Sequence, residues 1–206
     1  MIDADREVFA FVGRRLWLDF VNTDAASHGV RDDVLVDFGR WLAWLVAAGV
    51  LETTRAPVLA QRAEQQPAGA TAALVDARRM RAALRALAER GGEPTGERPL
   101  RVREAAVAEV NRVLARSAGT RRLDLLPGGE VQRSFVPGGE AFASLLLPVA
   151  ESAADALVAG DASRVRRCAA PGCERVFLDE TKNRARRWCA MRGCGNREKQ
   201  RRFRAG

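Results

Sequence analysis

The chain has one histidine, two lysines and no apolar run approaching the eighteen or so residues of a transmembrane helix. A single histidine, no cysteine outside one cluster, no phosphate-cradling Gly-rich loop between strand and helix, and no His-x-Glu or nucleophile-elbow pattern leave few ways to build a familiar active site. The acidic pair Asp32-Asp33 does not repair this, because neighbours in sequence point apart unless a loop turns them together. The expectation is that the chain is not an enzyme. Its N-terminal stretch MIDADREVFAFVG carries acidic residues and no long apolar core, so it does not read as a secretory signal. These absences predict a cytoplasmic protein with reduced thiols and no membrane partner. The scarcity of lysine, with Lys182 and Lys199 alone among many arginines, is compositional and carries no weight for function.

What is present is concentrated at the end. Four cysteines, the only ones in the chain, are spaced Cys168-x4-Cys173, fifteen residues, then Cys189-x4-Cys194. Four thiolates complete a tetrahedral shell for a structural zinc ion and leave no open position for a reacting water. Two disulfides or an iron–sulfur centre are the alternatives, but paired cysteines at loop spacing in a basic, intracellular segment favour zinc. At 206 residues and 47% apolar the whole chain can bury a core, whereas the tail has too few large apolar side chains to do so alone. The metal has to supply the missing stability there.

Charge follows the same division. Residues 163–206 hold fourteen Lys/Arg against four Asp/Glu, a formal +10, which leaves −2 for residues 1–162. Four thiolates and one Zn²⁺ subtract two, and the tail remains near +8, a density typical of nucleic-acid-binding surfaces. The competing reading is a solvated basic tail. Against it, the charges are interleaved with ordered features. Arg175 to Asp179 reads as a short strand, Glu180 to Arg184 as a turn and Ala185 to Cys189 as a returning strand. Gly195 to Arg204 then reads as a short basic helix beginning at the metal.

The run Arg186-Arg187-Trp188-Cys189-Ala190-Met191-Arg192-Gly193-Cys194-Gly195-Asn196-Arg197, with Phe177-Leu178-Asp179 and Asn183-Arg184 before it, resembles the CGNR zinc-finger signature. Such fingers follow a domain called ABATE. Leu18-Asp19-Phe20-Val21-Asn22-Thr23 resembles the motif that opens that domain, Trp41-Leu42 through Gly49-Val50-Leu51 its following amphipathic helix, and Leu145 to Cys168 its last helix and entry into the finger. The resemblance implies a stress-induced transcription regulator.

The fold class expected is α+β: a mainly helical ABATE-like domain with a small β-hairpin over residues 1–162, and a treble-clef-like or ribbon-like zinc finger over 163–206. Read from the residues, Val34 to Val46 is an amphipathic helix capped by Asp32 or Asp33 and stopped by Gly49. Ala56 to Gln65 is a shorter helix with Pro57 in its first turn. Thr71 to Arg90 places Ala73, Ala77, Met80, Leu84 and Leu87 on one stripe and a row of arginines on a solvated outer face. A loop over 91–99, a helix over Val102 to Arg116, a hairpin of Arg121 to Leu126 with Glu130 to Val136 around Pro127-Gly128-Gly129, and a helix over Ala141 to Ala159 complete the domain. Residues 8–20 read as strands or as a strand running into a helix.

By family analogy the N-terminal domain senses a small ligand and the finger carries the output to double-stranded DNA. Trp17, Asp19, Asn22, His28, Arg31 and Trp44 are the pocket candidates, chosen for their chemistry near the motif. Helix capping or turn stabilisation competes as the role of Asp19 and Asn22, and plain surface exposure as that of His28. In the finger, Arg184, Arg186 and Arg187 would clamp phosphates, with Lys199, Arg201 and Arg202 doing so from the helix, while Asn196 and Arg197 can read base edges. Asn196 has a competing role in supporting thiolate sulfur. Trp188 and Phe203 are expected to form the finger's small core. An adaptor for an acidic protein surface and an RNA-binding module are the rival readings, and a homodimer on paired half-sites is an arrangement open to a DNA regulator.

Overall fold

A computed structural model describes residues 9–90, 97–116, 119–125, 130–137 and 142–205. Among the described residues there are seven α-helices: α1 (Leu16–Val21), α2 (Phe38–Ala47), α3 (Arg55–Gln65), α4 (Pro67–Arg90), α5 (Glu97–Arg116), α6 (Leu147–Ala159) and α7 (Asn196–Ala205). Two two-stranded antiparallel sheets accompany them, β1 (Gly119–Leu125) with β2 (Val131–Pro137) and β3 (Val165–Arg167) with β4 (Val176–Leu178). Short 3-10 turns precede α2 and α6, at Val34–Val36 and Ala143–Leu146.

Helix α1 is six residues long, too short to persist on its own intrinsic tendency. Packing holds it. Trp17, Leu18, Phe20 and Val21 are buried, and the helix sits between α4, α6 and β4. The ambiguous N-terminal segment therefore contains a helix at the centre of the molecule. Around it, α4 and α5 pack as neighbours, α6 lies on α5, and Trp41, Trp44 and Leu45 of α2 close the apolar interior.

Several expected boundaries shift for identifiable reasons. The helix expected over Val34 to Val46 is broken, because Asp37 takes an extended conformation and caps α2 by accepting from Arg40 N at 2.7 Å. Asp33 instead caps the preceding 3-10 turn through Leu35 N at 2.8 Å. Gly49 ends α2 at φ +73°, as a left-handed stop requires. The helix expected from Val102 begins at Glu97, so the loop read over 91–99 is shorter, and its residues 91–96 lie outside the described ones. The turn at Pro127–Gly129 also lies outside them, while β1 and β2 pair in antiparallel register with Leu125 opposite Val131.

The arginine row of α4 is only partly a solvated face: Arg79 and Arg90 are exposed, but three others turn inward to partners. Arg78 donates to Leu35 O, Arg85 to Val21 O and Asp24 O at 2.7 and 2.8 Å, and Arg81 is buried against Asp33 and Thr23. Arg78 and Arg85 satisfy carbonyls in the irregular segment 21–36 that would otherwise lack partners, and Arg81 pairs with the Asp33 carboxylate and the Thr23 hydroxyl. Burial alone would raise the pKa of Asp33, but the Arg81 hydrogen bond and the Leu35 N–H outweigh it and hold the carboxyl below its ordinary value.

Candidate metal centre and finger surface

The finger is built on β3 and β4. Strand β4 pairs with β3, Val165 opposite Leu178, and not with residues 185–189. The expected hairpin with a returning strand is therefore corrected, and Asp179 and Arg186 supply the reason. Asp179 is fully buried and accepts from Thr181 N, Thr181 Oγ1 and Arg186 N at 3.0, 2.6 and 3.0 Å. Burial would raise its pKa, yet these donors overcome that effect and leave it below the ordinary carboxylate value. The chain is thus wound around a carboxylate through 179–186, with Arg184 at φ +51°, instead of running back as a strand.

Arg186 fixes the rest of this loop. Its guanidinium donates to Leu178 O, Val12 O and Trp188 O at 3.1–3.2 Å, contacts Cys189 O, and lies 4.1 Å from the Phe177 ring centroid. A side chain with this many internal partners is a cross-link, so the expectation that Arg186 clamps DNA is withdrawn.

The four cysteines converge. All are buried and free, and their Sγ atoms lie within 4.8 Å of one another. Cys173 and Cys189 sulfurs are 3.9 Å apart, and Cys189 and Cys194 sulfurs 3.6 Å. A tetrahedron with Zn–S bonds of about 2.3 Å has edges of about 3.8 Å, so these two separations match a zinc site and the whole set lies close to one. Cys189 N points to Cys168 Sγ at 3.4 Å, a hydrogen bond that stabilises thiolate charge. The second pair is carried by a turn over Met191–Gly195, in which Gly195 N donates to Ala190 O at 3.1 Å. The Met191 side chain packs over Gly195, so a Cβ there would push its thioether aside. Helix α7 starts at once from this turn.

The finger is fastened to the helical domain at two places. On the outer edge of β4, Asn22 Nδ2 donates to Val176 O and Val176 N donates to Asn22 Oδ1, both at 2.9 Å, while Leu178 N donates to Gly13 O at 2.9 Å. The Asn22 amide pairs like a strand residue and closes an edge that would otherwise be open. Its side chain is thus a fastening, while its backbone N–H, on Leu18 O and Phe20 O, caps the C-terminus of α1. The second fastening is a small hairpin in which Ser27 and Val30 exchange both backbone hydrogen bonds around His28 and Gly29, at φ +59° and +80°. Two left-handed residues in a two-residue turn make the tight primed form. Its tip meets the finger: Gly29 N donates to Gly172 O at 3.0 Å, His28 contacts Arg197, and Arg31 bridges Asp24 and Glu174. Gly172, at φ +69°, would bring a Cβ to 3.0 Å from Gly29 N. Burial, ahead of the neighbouring Arg197, lowers the pKa of His28.

The six expected pocket residues are therefore not one site. Asp19, Asn22 and Trp44 line a cavity of about 70 Å³, room for about two waters and no metabolite. Trp17 is buried core, with its backbone N–H on Ser152 Oγ at 3.3 Å. His28 and Arg31 belong to the clasp on the finger. Asp19 also faces a larger cleft of about 700 Å³ at the seam between the two parts. Its Oδ1 accepts from Gly13 N at 2.7 Å, and burial, opposed by that bond and by Arg186, raises its pKa to about 6.

Of the expected DNA-facing residues, Arg184, Arg187, Asn196, Arg197, Lys199, Arg201 and Arg202 are exposed. Arg187 lies over the Trp188 ring at 5.2 Å. Arg201 and Arg202 share Glu198, whose pKa their hydrogen bonds lower. Trp188 packs on the cysteine cluster, but Phe203 is 89% exposed, which overturns its place in the core. Sequence reasoning missed Glu198 and Asp179. Glu198 is three and four residues before Arg201 and Arg202 on one helix, a spacing that marks such pairs. Asp179, the first polar residue after Val176-Phe177-Leu178, carries the mark of an Asx turn.

Comparison with known families gives two matches. Residues 14–161 match the ABATE family, described as "Putative stress-induced transcription regulator", and residues 164–205 match the CGNR zinc finger. No curated protein matches the chain. The cysteine geometry and the finger match together establish one structural zinc ion held by Cys168, Cys173, Cys189 and Cys194. Among the described residues, no helix is long and apolar enough to cross a membrane.

Proposed function

The chain belongs to the ABATE family and carries a C-terminal CGNR zinc finger, and from that premise we propose a zinc-dependent DNA-binding transcription regulator whose N-terminal domain senses a small ligand. One observation carries the DNA-binding part. The exposed surface of residues 180–204 is basic, with Lys182, Arg184, Arg187, Arg192, Arg197, Lys199, Arg201, Arg202 and Arg204 in solvent, while of its two acidic residues Glu198 is buried and Glu180 is exposed but paired with Arg15. Such a surface displaces counterions from a polyphosphate. In this reading Arg184 and Arg187 contact phosphates from the loop, and Lys199, Arg201 and Arg202 do so from α7. Asn196 and Arg197 stand at the start of α7 as the base readers. Zinc supplies the rigidity that holds loop and helix in one orientation. We take the chain to be non-catalytic, and the service of Asp33, Glu174, Asp179 and Glu198 in ion pairs or backbone hydrogen bonds within the fold supports that reading.

The test is a titration of labelled duplex DNA and of single-stranded RNA with the zinc-loaded full chain at about physiological salt. Contact with about six phosphates predicts a roughly thousandfold fall in affinity between 50 and 200 mM salt and a preference for duplex. Preference for single-stranded RNA would support an RNA-binding module, and binding to neither would support an adaptor for an acidic protein surface. Sedimentation of the DNA complex would show whether one copy or a homodimer occupies the site.

A further inference from the structure

The seam cleft of about 700 Å³ falls within the usual range for small-molecule sites and lies between the helical domain and the finger. Its lining is chemically uneven. Phe11, Val12, Trp188, Ala190 and Met191 give apolar surface. Arg14 and Arg187 are exposed at it, and no carboxylate among the described residues pairs with either. Trp188 Nε1 is buried there with no hydrogen-bond partner. An unpartnered buried donor in a native fold calls for an acceptor that the chain itself does not provide. Arg14 moreover stands at φ +68°, a conformation disfavoured for a side chain of its size. Such local strain gathers at ligand sites.

We propose that this cleft binds an organic carboxylate with an aromatic or other apolar body. The carboxylate pairs with Arg14 and Arg187, and the body lies on Phe11, Val12 and Met191. An acceptor on the ligand takes the Trp188 indole N–H. Asp19 and Arg186 also line the cleft, and Arg186 already opposes the Asp19 charge, so the anionic group belongs on the Arg14 and Arg187 side. Occupancy would reach the finger directly. Cys189 is part of the wall, and Met191 opens the turn that carries Cys194 and packs on Gly195. This inference rests on reading the N-terminal domain as a sensor and relocates the sensing site to the seam.

Trp188 gives the readout, since Trp17, Trp41 and Trp44 are essentially inaccessible at 1%, 0% and 1% exposure. The zinc-loaded full chain, without DNA, is titrated with benzoate, cinnamate and 1-naphthylacetate to about 10 mM beside their neutral amides. Expected is a saturable change in tryptophan emission with at least one acid, at least tenfold weaker for its amide. Arg14→Asn with Arg187→Gln should weaken it tenfold or more, asparagine being chosen because it tolerates a left-handed backbone. Trp188→Phe, with zinc content verified, should remove the emission change and weaken, without abolishing, the binding read by thermal shift, because Arg14 and Arg187 still hold the carboxylate. Saturation by none of the acids, equal binding of acid and amide, unchanged affinity in the double variant, or an emission change that survives Trp188→Phe would each overturn the assignment. DNA affinity of the same preparations is measured separately, so loss of DNA binding and loss of carboxylate binding are distinguishable.

Discussion

The helical domain and the finger are held together by different physics. The domain buries Trp17, Trp41, Trp44, Phe20, Leu35 and Met80 in one continuous apolar cluster. The finger's own cluster contains one large buried apolar side chain, Phe177, with the four cysteines. What replaces a core there is a metal, a buried carboxylate at Asp179 and a guanidinium cross-link at Arg186. Yet Val165, Val176 and Leu178 of the finger's sheet belong to the domain's cluster. The finger is therefore independent in its metal loop and dependent in its base, which places any ligand event at the seam close to the zinc.

The largest expected effect breaks the comparison at the metal. Chelation of zinc, or Cys189→Ser, should unfold the metal loops and residues 180–204 while β4, held in the domain's cluster, and the domain helices persist, since metal binding in such modules is worth on the order of 10 kcal/mol. Circular dichroism should show a small helical loss from α7 only, and limited proteolysis should release the tail. A second substitution acts on the shared base. Asn22→Ala leaves Val176 N–H and C=O buried without partners, and the expected cost is roughly 2–5 kcal/mol, read as a fall in urea midpoint for domain and finger together. If only the finger loosened, the seam would be weaker than its geometry indicates.

A smaller effect depends on pH. Asp19 is raised from 3.8 to about 6 by burial. The folded state keeps a proton that the unfolded chain has lost between those values, so this contribution is complete below 3.8 and declines as pH rises through about 6. About two units correspond to at most about 3 kcal/mol. The difference in stability between the wild type and Asp19→Asn, followed from pH 4 to 7, should trace that decline. The smallest effect is that of Phe203→Ala, which should change stability by no more than about 0.5 kcal/mol, because the ring lies in solvent.

Much of this was legible in the residues. Cysteine spacing gave the metal site, helical periodicity gave the body of α2 and the inner face of α4, and Pro57 marked the first turn of α3. The signature motifs pointed to the family. What was not legible was long-range polar pairing. Asn22 meets Val176 across 154 residues and Arg186 meets Val12 across 174, and neither leaves a local pattern. The same blindness placed Arg81 and Arg85 on a solvated face, since a guanidinium that meets a distant carboxylate or carbonyls looks like any surface arginine. Strand pairing failed similarly. Proximity suggested a return through 185–189, but the Asp179 turn removed that option and the upstream strand β3 took its place.

The most direct measurement is recovery and sequencing of genomic DNA fragments bound by the zinc-loaded protein at about physiological salt, beside a chelator-treated control. Enrichment of a few upstream regions that disappears on zinc removal is the predicted result. Uniform recovery, no recovery, or enrichment that persists without zinc would contradict a sequence-specific regulator acting through its finger.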